Sequence, residues 1–275
     1  MEIFKYQALG NDYLVCFDPE QIRPLNAAEI RLLCNRHYGI GSDGLLYGYP
    51  MADHGRFRLK IYNPDASVAE KSGNGVRIFA QFLWDNFRGN VVAIETDSGS
   101  CFCEKLDDAV CVDMGKPEFE SNILPDLSDQ EITVEEAKFT IHAVSMGNPH
   151  CVIFVQEVNQ LRDDYVDHFG PLIENSPLFP EKTNVQFAYV RSKNEIFAQI
   201  WERGAGRTLS SGSSACAIFA VARKLQLCDD SVVLKMPGGE LKMEWSERGT
   251  ILQYGQAHRI ARCFVDDALL RSIKK

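Results

Sequence analysis

The feature that most restricts what this chain can fold into is an internal duplication. Leu9-Gly10-Asn11-Asp12-Tyr13-Leu14-Val15-Cys16-Phe17 aligns with Met146-Gly147-Asn148-Pro149-His150-Cys151-Val152-Ile153-Phe154, an offset of 137 (147 − 10). A second pair follows at nearly the same distance. Leu59-Lys60-Ile61-Tyr62-Asn63 is followed, nine positions after Asn63, by Ser72-Gly73-Asn74-Gly75. Ala198-Gln199-Ile200-Trp201-Glu202 is followed at the same spacing by Ser211-Gly212-Ser213-Ser214, an offset of 139 (211 − 72). Two features in one order at nearly equal offsets describe two homologous halves, and a repeat of this kind decides the architecture before any single element does.

Each half then reads alike. An alternating strand, 57–62 or 196–201, leads into a turn rich in Gly, Asp and Ser that opens a helix. The helices are Gly75-Val76-Arg77-Ile78-Phe79-Ala80-Gln81-Phe82-Leu83-Trp84 and Ala215-Cys216-Ala217-Ile218-Phe219-Ala220-Val221-Ala222-Arg223. Both are apolar around most of their circumference, so each belongs inside a sheet wrapped around it. Further helices are expected at 27–34 and 163–169, strands at 91–95, 100–104, 110–113, 139–144, 232–235 and 241–245, and loops at 126–128 and 176–182. The predicted fold is α+β, with two pseudo-symmetric domains, each a mixed sheet around a central apolar helix, and an active site in the interdomain cleft. The domains are expected at 1–116 and 117–263, dividing near Pro117, with 264–275 returning to the first.

Composition narrows the function classes. Hydrophobic residues make up 45% of the 275 residues and charged ones 24%, the balance of a soluble globular protein. The net charge is −9, and without a Lys/Arg cluster there is no basic face for nucleic acid. No apolar run approaches the ~18 residues a bilayer requires. Met1-Glu2-Ile3-Phe4-Lys5-Tyr6 reads as a strand rather than a signal peptide, which predicts a cytoplasmic protein. The nine cysteines are odd in number and scattered, against a disulfide framework or a zinc site. They read as ordinary buried or half-buried thiols, with Cys101 and Cys103 on one strand face.

The chemistry-bearing candidates are the two loop–helix junctions, Ser72-Gly73-Asn74-Gly75 and Ser211-Gly212-Ser213-Ser214. A helix start presents unpaired N–H groups and the positive end of the helix dipole, which together suit a carboxylate or phosphate. Either junction alone is what helix capping produces. Two related junctions in duplicated halves point to a shared anion site.

Several segments carry a family resemblance in order: Leu9-Gly10-Asn11-Asp12, Gly39-Ile40-Gly41-Ser42-Asp43-Gly44, Tyr62-Asn63-Pro64-Asp65-Ala66-Ser67, Ser72-Gly73-Asn74-Gly75-Val76-Arg77, Gly147-Asn148-Pro149-His150, Pro177-Leu178-Phe179-Pro180, Thr183-Asn184-Val185 and Glu202-Arg203-Gly204-Ala205-Gly206. Together they resemble the motifs of the diaminopimelate epimerases over almost the whole chain. The resemblance implies an isomerase that inverts an amino-acid α-carbon, LL- to meso-2,6-diaminopimelate, in lysine and cell-wall precursor synthesis. It implies no metal and no pyridoxal cofactor, a small amino-acid substrate, and a homodimer without nucleic-acid or membrane partners. In that family two thiols, one from each half, act on opposite faces of the α-carbon. Asn11, Asn63, Asn148, Asn184 and Arg203 match the residues that hold the distal amino-acid end, and Gly73, Asn74, Gly75, Gly212 and Ser213 match those around the proximal carboxylate.

One departure bears on the chemistry. The family's two thiol positions correspond to Ser72 and Ser211, and a hydroxyl is a far weaker acid than a thiol. A helix N-terminus contributes about 0.3–2 kcal/mol, while one pKa unit is about 1.36 kcal/mol, so the dipole alone does not make a serine a base. Cys216, five residues beyond Ser211, falls inside the helix. Three accounts fit. The chain is a natural branch in which Glu202 and His150, at family active-site positions, move the proton; or both cysteines were replaced to trap a substrate; or it is a catalytically silent amino-acid-binding relative. Lys71 beside Ser72, and Arg207 where the family carries an acid, favour the natural branch. Within it, a racemase acting on another amino acid through Glu202 or His150 is the alternative to diaminopimelate. His37, His54, His142, His168 and His258 read as surface or packing residues.

Overall fold

Alternation along segments such as Val91–Thr96, buried at every second position, lays most of this chain into strands. The computed structural model describes residues 1–20, 24–52, 55–69, 71–87, 89–120 and 130–272. His54 and the loop expected at 126–128 lie outside the described residues. In chain order the elements are β1 (Glu2–Ala8), β2 (Asn11–Phe17), α1 (Ala27–Cys34), β3 (Gly44–Pro50), β4 (Arg56–Tyr62), α2 (Gly73–Asn86), β5 (Val91–Thr96), β6 (Gly99–Lys105) and β7 (Val110–Asp113). Then come β8 (Gln130–Val134), β9 (Ala137–Ser145), β10 (Pro149–Phe154), α3 (Asp163–Glu174), β11 (Asn184–Ser192), β12 (Glu195–Glu202), β13 (Gly206–Thr208), α4 (Gly212–Lys224), β14 (Ser231–Met236), β15 (Gly239–Trp245) and β16 (Ile251–Gly255). The chain ends with β17 (His258–Phe264) and α5 (Asp267–Ser272).

Two compact units result, Met1–Val112 with Gly255–Lys275, and Asp113–Tyr254. The sequence reading divides the chain at 116/117 and 263/264, four and nine residues later (116 − 112 and 263 − 254). The second difference has a plain cause. β17 pairs antiparallel with β1, from Glu2↔Phe264 to Gln7↔His258, and that ladder carries 258–264 into the first unit.

The duplication is visible in the strand pairing of each unit. In the first the order is β17–β1–β2–β3–β4–β5–β6–β7, parallel at β2/β3 and β4/β5 and antiparallel elsewhere. In the second it is β8–β9–β10–β11–β12–β14–β15–β16, parallel at β10/β11 and β12/β14 and antiparallel elsewhere. The two orders match strand for strand. Each parallel pair is joined by a helical crossover (α1, α2, α3 or α4), because parallel neighbours cannot be linked by a tight turn. The chain therefore adopts a mixed, sheet-dominated α+β fold of two domains.

The second crossover helix of each unit is its core. α2 buries eleven of its 14 residues and packs against β1, β2, β3, β5 and β6. α4 buries eleven of its 13 and packs against β9, β10, β11 and β15. α3 runs past the expected end at 169 to Glu174, and its final turn is tied by Asn175, whose backbone N and Nδ2 both donate to Pro171 O at 3.2 and 2.8 Å. Gly170 lets this helix lie on Trp201, since a Cβ there would stand 2.7 Å from the indole ring.

The duplicated hairpins turn at Gly10 (φ 81°) and Gly147 (φ 90°), both in the left-handed region. Cys101 and Cys103 are buried on β6 on either side of exposed Phe102, and all nine cysteines are free. Among the described residues no helix is long and apolar enough to cross a membrane.

Candidate active site

α2 and α4 begin in the same way. The residue before each helix is a serine in extended backbone, Ser72 at φ −143°, ψ 111° and Ser211 at φ −143°, ψ 123°. Each hydroxyl accepts the backbone N–H three residues on: Gly75 N donates to Ser72 Oγ at 3.0 Å, and Ser214 N to Ser211 Oγ at 3.4 Å. Both serines are helix caps. Neither helix has an acidic side chain in its first turn, so nothing on the helix offsets the positive end of its dipole. Gly73, Asn74 and Gly75, like Gly212, Ser213 and Ser214, carry the first-turn amides outside the intrahelical ladder. All six are buried.

In the first unit a string of side chains leads away from the α2 start. The buried guanidinium of Arg77 donates to Asn74 Oδ1. Asn74 Nδ2 donates to Asn11 Oδ1 at 3.2 Å, and Asn11 Nδ2 donates to Asp43 Oδ2 at 3.1 Å. Arg36 Nη2 then bridges Asp43 and Asp12 at 2.7 Å each, and Lys5 Nζ reaches Asp12 at 2.8 Å. Burial pushes the Asp12 carboxyl up, but the bonds from Arg36 and Lys5 outweigh it and hold the group below its ordinary range. Asn63 stands apart from this string. Its Nδ2 donates to Ser67 Oγ at 2.9 Å and its carbonyl accepts Ala66 N at 2.9 Å, so it shapes the turn after β4.

In the second unit His150 is fully buried at the start of β10. Its Nε2 lies 2.9 Å from Asn148 Oδ1 and its Nδ1 lies 3.0 Å from Gln186 Nε2. Gln186 Nε2 also donates to Ser214 Oγ at 3.1 Å, and the Ser214 backbone N–H caps onto Ser211. His150 is thus linked to Ser211 through the Gln186 side chain and through Ser214, whose hydroxyl accepts and whose backbone N–H donates. Because Asn148 Oδ1 only accepts, Nε2 of the imidazole is assigned a proton. Asn184 joins three elements, its Nδ2 donating to Pro149 O at 2.9 Å and its Oδ1 accepting Arg203 N at 3.0 Å. That second bond holds the turn carrying Glu202 and Arg203. Glu174, buried on α3, holds it from the other side by accepting Gly204 N at 3.1 Å and Trp201 Nε1 at 2.8 Å. Arg203 Nη1 donates to Glu181 O at 3.3 Å. Arg207 reaches Asp163 at 3.0 Å and Asp167 at 2.9 Å on α3.

Burial pushes Cys16 and Cys228 up to about 11 and raises Cys34, Cys103 and Cys151 as well, so these are protonated at neutral pH. Cys216 is fully buried within α4, where Gln253 Nε2 approaches its sulfur at 3.4 Å. Among the described residues no group of three or more His, Cys, Asp or Glu is arranged to hold a metal.

Sequence reasoning gave no site role to Tyr13, whose hydroxyl lies 3.3 Å from Ser72 Oγ, to Arg77 or to Gln186. One of them had a signal. The repeat aligns Tyr13 with His150.

Comparison with known proteins places these residues in a lineage. The family model described as "Diaminopimelate epimerase" matches residues 3–120 and 142–260. "Diaminopimelate epimerase 2" of Nostoc sp. is 45% identical over 258 residues, covering 89% of this chain and 88% of that protein. "Diaminopimelate epimerase" of Desulfitobacterium hafniense is 38% identical over 288 residues, covering 98% and 100%. Among solved structures, a probable proline racemase from Agrobacterium radiobacter superimposes with a TM-score of 0.73 over 97% of this chain and 93% of that one, at 13% identity, which is a likeness of fold.

Proposed function

The chain belongs to the diaminopimelate epimerase family, and on that premise we propose that it is a cofactor-independent epimerase converting LL- to meso-2,6-diaminopimelate. The observation that carries the reading is the duplicated helix start. Two equivalent N-termini, each capped by a serine and lacking first-turn acids, suit a carboxylate on whose α-carbon negative charge develops during proton removal. In this reading Gly73, Asn74, Gly75, Gly212 and Ser213 bind the proximal carboxylate. Ser72 and Ser211 hold the two proton-transfer positions, one for each face of the α-carbon. Asn11, Asn63, Asn148, Asn184 and Arg203 take the distal amino-acid end, where Asn offers both donor and acceptor and Arg a bidentate clamp. Glu202 is the carboxylate assigned to assist the weak serine base, with His150 fixed behind Ser211. In this reading the enzyme works in the cytoplasm, as a homodimer.

One observation favours a second reading, that of a relative which binds an amino acid without turning it over. Both hydroxyls are engaged as helix caps. Solvent-deuterium wash-in separates the two. Incubated in D2O with LL-diaminopimelate and a panel of other amino acids, an epimerase incorporates deuterium at the α-carbon of its substrate and accumulates the inverted isomer. A binder leaves every α-proton in place while still shifting its unfolding midpoint with the ligand. Incorporation into a different amino acid would replace diaminopimelate as the substrate.

A further inference from the structure

Tyr13 occupies in the first half the place His150 holds in the second, and the strand registers agree. Tyr13 opens the β2/β3 pairing opposite Gly44, as His150 opens β10/β11 opposite Asn184. Each reaches the serine that caps the core helix of its own unit. His150 does so through Gln186 and Ser214; Tyr13 does so directly, oxygen to oxygen at 3.3 Å. The phenol is held in position. Tyr13 is 7% exposed, and Gly44 leaves space for its ring, since a Cβ there would stand 2.6 Å from Tyr13 Cε1 and 2.6 Å from Tyr62 O. Ser72 Oγ already accepts the Gly75 N–H, and the Tyr13 hydroxyl is its second hydrogen-bonding neighbour.

We propose that Tyr13 is the proton partner of Ser72, a positioning and relay group that makes a hydroxyl serviceable where relatives use a thiol. The proposal rests on the epimerase reading above. In the relay, Ser72 Oγ takes the α-proton while its own hydroxyl proton passes to the Tyr13 phenolate. One C–H and one O–H bond break, two O–H bonds form, and the negative charge moves from the phenolate to the substrate. A phenol with the ordinary pKa of about 10 is about one part in a thousand phenolate at pH 7, against about three in a hundred for a free thiol at about 8.5. An aliphatic alcohol is far below both. A phenolate is therefore scarcer than a thiolate at this pH but the stronger base once formed; the α2 N-terminus favours the anion, while burial of Tyr13 opposes it.

The test is Tyr13→Phe, which keeps the ring and removes the oxygen, read by α-deuterium wash-in as a function of pH. In the unsubstituted protein exchange should climb about tenfold per pH unit from 7 towards 9. Tyr13→Phe should lower exchange about 100-fold or more and flatten that climb, with little change in KM. In a Ser72→Cys background, where the thiol is its own base, adding Tyr13→Phe should change exchange by less than about threefold, which also reports that the variant is folded. Retained rate and slope in Tyr13→Phe overturn the proposal. An equal loss in the Ser72→Cys background overturns it too, because Tyr13 would then be structural. Absence of exchange in the unsubstituted protein at every pH overturns the epimerase reading, and the relay with it.

Discussion

Placing sulfur at both caps, Ser72→Cys with Ser211→Cys, should make the protein less stable and faster at once. A thiol with an ordinary pKa of about 8.5 at a helix N-terminus gains up to about 2 kcal/mol of preference for its anion. At about 1.36 kcal/mol per unit this brings it near pH 7. The thiolate is then a major species where the alkoxide is negligible, and exchange should rise by orders of magnitude. The structural cost is set by what the hydroxyls now do. Ser72 Oγ accepts Gly75 N at 3.0 Å, a sound cap whose loss costs about 1 kcal/mol. Ser211 Oγ accepts Ser214 N at 3.4 Å, a longer and weaker bond. Ser214 is fully buried, however, and a buried N–H left unsatisfied costs about 1–3 kcal/mol. Each unit should therefore lose about 1 kcal/mol, read as a lowered urea midpoint at unchanged slope, while α-deuterium incorporation accelerates. Unchanged stability would refute the capping role. Unchanged exchange, with Glu202→Gln abolishing it, would show that the proton route does not run through positions 72 and 211.

Two further outcomes follow from the supports around the site. Asp12 has a depressed carboxyl pKa in the fold, so its contribution is present above its unfolded value of about 3.9 and is lost as the pH falls through the folded one. Asp12→Asn should lower stability by about 2 kcal/mol at pH 7, with the gap to the unsubstituted protein closing as the pH falls below the unfolded value and through the lower folded one; a gap independent of pH in urea titrations would refute the ion-pair account. Glu174→Gln should set an NH2 group against Trp201 Nε1–H or Gly204 N–H, costing about 1–3 kcal/mol. Amide exchange at Gly204 should then quicken, and unchanged protection there would show that Glu174 does not hold the 202–206 turn.

Much of this architecture is legible in one dimension because its signals are local. Ser72 and Ser211 were marked as helix starts by their Gly- and Ser-rich surroundings, and they are caps with nearly the same backbone angles. β6 keeps Cys101 and Cys103 on one buried face because alternation alone decides it. The turn bond of Asn63 is local too: its amide closes on Ser67, the partner an Asn finds in such a turn.

By itself, the sequence determined that the chain is a duplicated α+β protein, where its core helices begin, and to which family it belongs. Periodicity, capping and repetition act over a few residues and leave a direct imprint on composition. Only the tertiary structure decided which side chains reach each capping hydroxyl. Tyr13 meets Ser72 across 59 positions, and His150 meets Gln186 across 36. Both meetings depend on strand register and on how a helix is seated against its sheet, quantities set by the whole ladder of hydrogen bonds rather than by any local run of residues.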